Sequence, residues 1–243
     1  MNETFKKILM ERVNNIPKRD DIKEYECPIC RDLHYTFNDL GQAVPCKCKD
    51  KFESKEKLKK CGLDEVFKNK TFRNYKVNNE TQLAARDKAI NYCNNFLDTN
   101  SSLIITGRPG VGKTHLGAAT MVNLISKNVL CKYELYTTML INLKQSVMDE
   151  TNFIREMDKY KVPRVLFLDD FLKGKPTDAD LKYIFEIVNE RYLKKKPMII
   201  STEKSIDEIV SWDEAVASRL VEMAQGNIIE FGTDIENYRF YAK

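Results

Sequence analysis

The chain has 243 residues, 42% of them hydrophobic, with 40 Lys and Arg against 36 Asp and Glu, a net charge of +4. That length allows one or two domains with a sizeable core, and so small a basic excess says little about partners. No apolar run reaches the roughly 18 residues that cross a bilayer. The charged start "MNETFKKILMERVNN" has no signal-peptide core, so no membrane partner is expected and the cytoplasm is the expected compartment.

Taken in chain order, residues 1–24 read as a charged amphipathic helix, with Phe5, Ile8, Leu9, Arg12, Val13 and Ile16 near helical spacing and Pro17 as its stop. Residues 25–50 hold four of the seven cysteines, as Cys27-x2-Cys30 and Cys46-x-Cys48. An odd number of cysteines in this compartment argues against a disulfide framework. The first pair fits a tight knuckle around Zn²⁺, and a β-loop over the intervening residues would bring the second pair alongside. Four thiolates would close a tetrahedral structural site and hold together a segment too short to build its own core. The C-x-C spacing is tighter than usual, which leaves His34 or Cys61 as a reserve ligand. Free thiols in a small core are the alternative, with an iron–sulfur cluster behind it. Cys93 and Cys131 lie further on and read as core residues.

From Lys47 to Lys70 there are nine lysines and five acids, 9 − 5 = +4. This stretch reads as a linker helix ending at Gly62, either a solvated face or a contact for nucleic acid or a partner. From Phe72 the pattern changes to alternating strands and helices. Ser102–Thr106 is an apolar strand, His115–Ser126 an amphipathic helix and Val129–Tyr136 a candidate strand. Thr137–Tyr160 is mostly helical, and "RVLFLDD" is a buried strand ending in two acids. Asp178–Leu193 is a helix, "PMIIST" a buried strand, Ile206–Met223 helical and "NIIEF" a last strand. Short continuous apolar strands between helices imply an α/β fold with a parallel sheet flanked by helices on both faces. The expected domains are residues 1–50, 51–71 as a basic linker, and 72–243.

Between the first strand and the first helix of that sheet, "GRPGVGKT" matches G-x-x-x-x-G-K-S/T in full. The loop Gly107, Arg108, Pro109, Gly110, Val111 and Gly112, continuing into Lys113, Thr114 and His115, is a candidate ATP site. Its glycines let backbone N–H groups close on phosphates, and the helix offers its positive end to the anion. Lys113 can reach the β- and γ-phosphates, and Thr114 can bind Mg²⁺. Asp169 and Asp170 supply the acids at the end of a neighbouring strand: Asp169 for Mg²⁺, Asp170 to orient or polarise the attacking water.

These two motifs, with the segments downstream of them, resemble the AAA+ ATPases, and among these the DnaC/DnaI-type replicative helicase loaders, especially phage and prophage forms. The residues that carry this are "TGRPGVGKTHLGAA", "FLDDFLKGK", "NERYLKKKPMIISTE", "DEAVASRL" and "ENYRF" in detail, with "CPIC…CKC" more loosely. The resemblance implies an AAA+ P-loop core without a C-terminal helical lid, preceded by a small zinc module that docks onto the helicase. It places a trans-acting arginine finger at Arg219, which requires a self-oligomer, and a sensor-2 arginine at Arg239 acting in cis. Arg191 faces a subunit interface or serves the fold. The sensor-1 position commonly carries Asn; here the chain reads Thr202–Glu203, so Thr202 is the substitute candidate, and ionised Glu203 cannot donate a hydrogen bond. The implied partners are the hexameric replicative helicase and single-stranded DNA, with Lys173 and Lys175 as candidate contacts or plain loop residues. An IstB-type transposition ATPase shares the core, and the cysteine module argues against it. A non-hydrolysing adaptor is the reading of a different class, kept open by Glu203 and by aspartate at 170 in place of the commoner glutamate.

Overall fold

A computed structural model describes residues 25, 27–38, 41–49, 69–174 and 176–232. The helix expected over residues 1–24, the lysine-rich helix ending at Gly62, Cys61, Lys175 and Arg239 lie outside the described residues. The chain divides into two units, Met1–Glu53 and Ser54–Lys243.

The first unit contains a hairpin of β1 (Tyr35–Phe37) and β2 (Ala43–Pro45), with Thr36 opposite Val44. Its loop is closed by Asn38, whose side-chain oxygen accepts from Gln42 N at 2.9 Å, and by Gly41 at φ +69°. Before the hairpin, Arg31 N donates to Cys27 O at 2.9 Å and Leu33 N to Cys30 O at 3.1 Å, curling residues 27–33 into a knuckle. Cys46 N then donates to His34 O at 3.0 Å, which sets the second cysteine pair beside the first. The buried core of this unit is cysteine: Cys27, Cys30 and Cys46, with Cys48 against them. No aliphatic core takes its place among the described residues, so the packing needs another source of cohesion.

The second unit runs α1 (Glu80–Thr99), β3 (Leu103–Thr106), α2 (Lys113–Ser126), β4 (Cys131–Leu135), α3 (Tyr136–Ser146), α4 (Glu150–Lys161), β5 (Val165–Phe171), α5 (Asp178–Leu193), β6 (Met198–Thr202), α6 (Ile206–Trp212), α7 (Glu214–Ala224) and β7 (Ile228–Glu230). The strands form one parallel sheet in the order β4-β5-β6-β3-β7. Alternate residues of the buried strands feed two cores. Leu103, Ile105, Val165, Phe167 and Ile199 pack with Phe96 of α1 and Leu116, Met121 and Leu124 of α2. Ile104, Leu166, Leu168, Met198 and Ile200 pack with Leu143 of α3, Ile184 and Val188 of α5 and Leu220 of α7. The apolar strands are thus continuous in sequence because both faces of the sheet are covered.

Two expected helices are each two. Thr137–Tyr160 breaks after Ser146, and Asp149 caps the new helix by accepting from Asn152 N. Ile206–Met223 breaks at Asp213, which ends α6 and caps α7 through Val216 N at 2.7 Å. The long helix α1, which the apolar pattern does not announce, starts at the Asn79 cap. Arg191 is fully buried, with Nη1 on Tyr160 O and Pro163 O and Nη2 on Arg164 O and Pro197 O. It serves the fold; the interface alternative is corrected. No helix among the described residues is long and apolar enough to cross a membrane.

Candidate functional site

The phosphate loop joins β3 to α2, and its shape depends on two glycines. Gly107 has φ +147°, and a Cβ there would lie 2.6 Å from Phe231 Cβ; Gly112 has φ +105°, and its Cβ would lie 2.8 Å from the Tyr75 ring. Neither position accepts another residue without displacing a neighbour. Gly112 also caps α2, and no side chain takes the helix's first N–H groups. Five of the other helices have such a side-chain cap, at Asn79, Asp149, Thr177, Ser205 and Asp213. The donors of α2 remain open to an anion. Lys113 Nζ folds back on the loop, donating to Gly107 O at 2.7 Å and Arg108 O at 2.9 Å. Burial pushes its ammonium below the ordinary range, while Glu203 and then Asp170 pull it back. An ammonium that is desolvated and held only by carbonyls is well matched to a phosphate.

The acids arrive from β5, two places along the sheet from β3, with β6 between. Asp169 is buried. Its Oδ1 accepts from Thr114 Oγ1 at 3.0 Å and from Ser201 Oγ, and its Oδ2 from Tyr133 OH at 3.2 Å. Burial raises its pKa; the hydroxyls of Ser201 and Thr114 oppose this, and Asp170 adds to it. The Thr114 hydroxyl and the Asp169 carboxylate together suit a hard cation with oxygen ligands, and the residues present fit Mg²⁺ beside a bound triphosphate. Asp170 differs. It sits at φ +54°, at an irregularity in the β5–β6 pairing between Leu168 and Phe171, and its N–H donates to Ser201 Oγ at 3.1 Å. It lines a cavity of about 210 Å³ with Lys173, Gly174, Glu203 and Lys204. One acid is thus packed against the phosphate-loop threonine, and the next faces open space.

In the first unit, the Sγ atoms of Cys27, Cys30, Cys46 and Cys48 lie within 4.8 Å of one another. Cys30 and Cys48 are 3.3 Å apart, and Cys27 and Cys46 3.9 Å. Sulfurs on a tetrahedral Zn²⁺ at about 2.3 Å stand about 3.8 Å apart, so the donor set fits a closed four-thiolate site. His34 Nδ1 lies 3.5 Å from Cys48 Sγ, and His34 N donates to Cys30 Sγ at 3.3 Å, the position of a supporting group around four sulfurs. A hydrogen bond from the Cys30 backbone holds the Cys27 thiol down, to about 7, while burial pushes Cys48 up.

A family model described as IstB-like ATP binding protein matches residues 48–238. The chain belongs to that family. Among relatives of this IstB-like chain, the uncharacterised protein YqaM of Bacillus subtilis (strain 168) is 33% identical over 196 residues, 76% of the chain and 62% of that protein. The chain therefore spans under two thirds of that relative. The replicative helicase loader DnaC of Escherichia coli (strain K12) is 24% identical over 183 residues, 73% of the chain and 72% of that protein. A crystal structure of the DnaC helicase loader superposes with a TM-score of 0.59 and 25% identity, covering 69% of the chain and 99% of that structure. The fold is accordingly that of an AAA+ ATP-binding domain, preceded by a four-cysteine cluster that fits a zinc module.

The structure places the other residues marked by the sequence of this IstB-like protein in varied settings. Arg108 and Pro109 are exposed at the tip of the loop. His115 turns away from it: Nε2 lies 2.9 Å from Thr71 O, and the ring meets Tyr75 edge-on. Thr202 is fully buried; its hydroxyl donates to Phe171 O at 2.7 Å and accepts from Lys204 N at 3.0 Å. Its proton is committed to the backbone of β5. Glu203 is ion-paired with Lys173 beside Asp170. Arg219 contacts α5 and its own helix, and among the described residues none of its hydrogen bonds is with the phosphate loop.

Three contributors escape a reading of the sequence. Tyr133 and Ser201 bind Asp169 from β4 and β6. Tyr75 packs over Gly112 and lies with its hydroxyl 3.4 Å from Val111 O, and with Asn74, Lys76, Gln82, Gly110 and His115 it lines a second cavity of about 200 Å³ beside the loop. The alternation in "CKYEL" puts Tyr133 on the same buried face as Cys131, a usable signal; nothing local pairs Ser201 with Asp169.

Proposed function

We propose that this chain is an ATP-dependent loader that binds the hexameric replicative helicase and deposits it on single-stranded DNA during replication initiation. The observation that carries this reading is the Thr114–Asp169 contact at 3.0 Å, set in a core that aligns over 99% of the DnaC helicase loader structure with a TM-score of 0.59. It supports a site built to couple a phosphate loop to a cation.

In this reading ATP, when bound, would supply the phosphoryl group that is transferred to water, and Mg²⁺ would neutralise charge on the phosphates. Lys113 leaves the Gly107 and Arg108 carbonyls and neutralises charge on the β- and γ-phosphates. Thr114 and Asp169 hold the cation. Asp170, facing open space, orients the attacking water. Thr202 serves from behind, fixing Phe171 to β6, and does not itself donate to phosphate. Arg219 completes the site of a neighbouring subunit, so turnover depends on self-assembly; Arg239 contacts the γ-phosphate in cis. The four-cysteine unit, holding Zn²⁺ structurally, docks onto the helicase. The nucleotide biases an assembly state and drives no covalent synthesis.

The family's IstB name favours a second reading, a transposition ATPase with the same core. The test is co-purification of the full chain with a bacterial hexameric replicative helicase, paired with steady-state ATPase with and without single-stranded DNA. The loader retains the helicase and hydrolyses ATP. Retention without turnover indicates a non-hydrolysing adaptor. Capture of a transposase and no helicase overturns the proposal in favour of the second reading.

A further inference from the structure

Arg219 is held in an unusual way for a partly exposed arginine. Phe185, Asn189 and Tyr192 lie on α5 at spacings of four and three, which puts them on one face of the helix. Arg219 rises from α7 onto that face. Its Cζ lies 5.1 Å from the Phe185 ring centroid and 5.6 Å from that of Tyr192. Nε donates to Asn189 Oδ1 at 3.1 Å, and Nη1 to Ala215 O at 2.7 Å. The second ring is itself fixed, since Tyr192 OH lies 3.0 Å from both carboxylate oxygens of Glu222. Among the described residues, Nη2 makes no hydrogen bond. The inner side of the guanidinium is therefore engaged by two aromatic rings, an amide and a carbonyl, while its outer nitrogen is left to donate.

We propose that Phe185, Asn189 and Tyr192 are positioning residues, a clamp that presets the Arg219 guanidinium for a phosphate held by a neighbouring subunit. The inference rests on the reading of Arg219 as a trans finger. An unclamped arginine has many rotamers to lose when it docks, and each loss weakens its hold on developing charge. The clamp removes that loss in advance, which is what a group acting only in the transition state needs. Two π faces also keep the cation in place without a carboxylate, which would neutralise it before it reached the phosphate.

The test uses the full chain with Phe185→Leu and Tyr192→Leu combined, which keeps apolar bulk and removes the rings. Asn189→Ala, which removes only the Nε acceptor, repeats the test if the double variant misfolds. The clamp variant binds ATP within about two-fold of wild type and turns it over about 10-fold more slowly, because binding does not use the finger and the transition state does. It is then mixed with Asp170→Asn, whose own site is inactive and whose Arg219 and clamp are intact. Turnover above the sum of the two proteins assayed apart supports the proposal, since a defect in helix packing within one chain is not repaired by another chain. Wild-type turnover in the clamp variant overturns it. So does a slow clamp variant that Asp170→Asn fails to restore while it restores Arg219→Ala. If Arg219→Ala is not restored either, the trans-finger reading fails and the clamp falls with it, an outcome distinct from the other two.

Discussion

Arg191 offers a direct measure of how the sheet is held at the end remote from the nucleotide. Its guanidinium donates to four backbone carbonyls: Tyr160 at 2.8 Å, Pro163 at 3.1 Å, Arg164 at 3.1 Å and Pro197 at 2.6 Å. These lie at the end of α4 and just before β5 and β6, so one side chain ties three elements. Arg191→Met keeps the apolar bulk and removes every donor. A buried carbonyl left unpaired costs about 1–3 kcal/mol; Pro197 O keeps a bond from Leu166 N at 3.3 Å, and the lower end applied to the other three gives about 3 kcal/mol. Relief of the buried charge works the other way, which is why the lower end is used. The burial that costs energy also pushes the Arg191 pKa down to about 9, leaving it charged at neutral pH. Against a typical total of about 5–15 kcal/mol, such a loss leaves the unit marginal. Urea denaturation at two protein concentrations measures it, and the loss is the same at both, because all four acceptors are in the same chain. A loss under about 1 kcal/mol refutes the reasoning, since the carbonyls would then have other partners.

Lys113→Ala weakens ATP binding by about 10- to 100-fold without unfolding the protein, the worth of one charge-assisted contact; titration with a fluorescent ATP analogue checks it, and unchanged affinity removes Lys113 from the site. Protein purified without added metal carries about one zinc per chain by elemental analysis, and Cys27→Ser/Cys30→Ser carries none; a folded, metal-free wild type refutes this. Asp180 gives a pH test. Burial alone would raise its pKa, but Lys144 at 2.7 Å and the Thr177 cap hold it below its ordinary 3.8. A carboxylate depressed in the folded state stabilises above its unfolded pKa and loses that contribution as pH falls through the folded one. The stability gap between wild type and Asp180→Asn is therefore full near about pH 6 and closes in acid; a gap constant down to about pH 2.5 refutes the pairing.

The sequence announces some elements better than others, for physical reasons. The helix over Asp178–Leu193 is legible to the residue, because Thr177 and Asp180 form a capping box at its start. The buried strands are legible because both faces are covered. α1 is harder to read: it buries small or half-polar residues such as Ala85, Ala89, Gln82 and Cys93, which give a weak apolar stripe. The breaks at Asp149 and Asp213 are cap signals inside stretches whose apolar spacing runs on. In the site, the phosphate loop is one contiguous motif and reads directly. Its support is not contiguous: Tyr133 and Ser201 reach Asp169 across 36 and 32 residues of sequence, a pairing that only the parallel sheet creates. The family resemblance marks Thr202 as the substitute sensor candidate, and nothing in the local sequence pairs its hydroxyl with Phe171 O, to which it donates at 2.7 Å.

The left-handed backbone at Asp170, φ +54°, bears on how this site can change by mutation. Short side chains that bond to their own backbone tolerate that conformation, and for longer ones it costs roughly 1–2 kcal/mol. Aspartate is the acid that fits with least strain; glutamate, the commoner acid at such positions, must bear the conformational cost while reaching further into the cavity. Asparagine and glycine would be accommodated easily, but each discards the charge. If Asp170 orients the attacking water as proposed, the substitutions the backbone accepts most readily are those that would silence hydrolysis while leaving the phosphate loop whole. On the proposed role of Asp170, a lineage drifting at this one position would pass without structural penalty from a turning-over ATPase to a nucleotide-holding protein, and the way back to a different acid would be uphill.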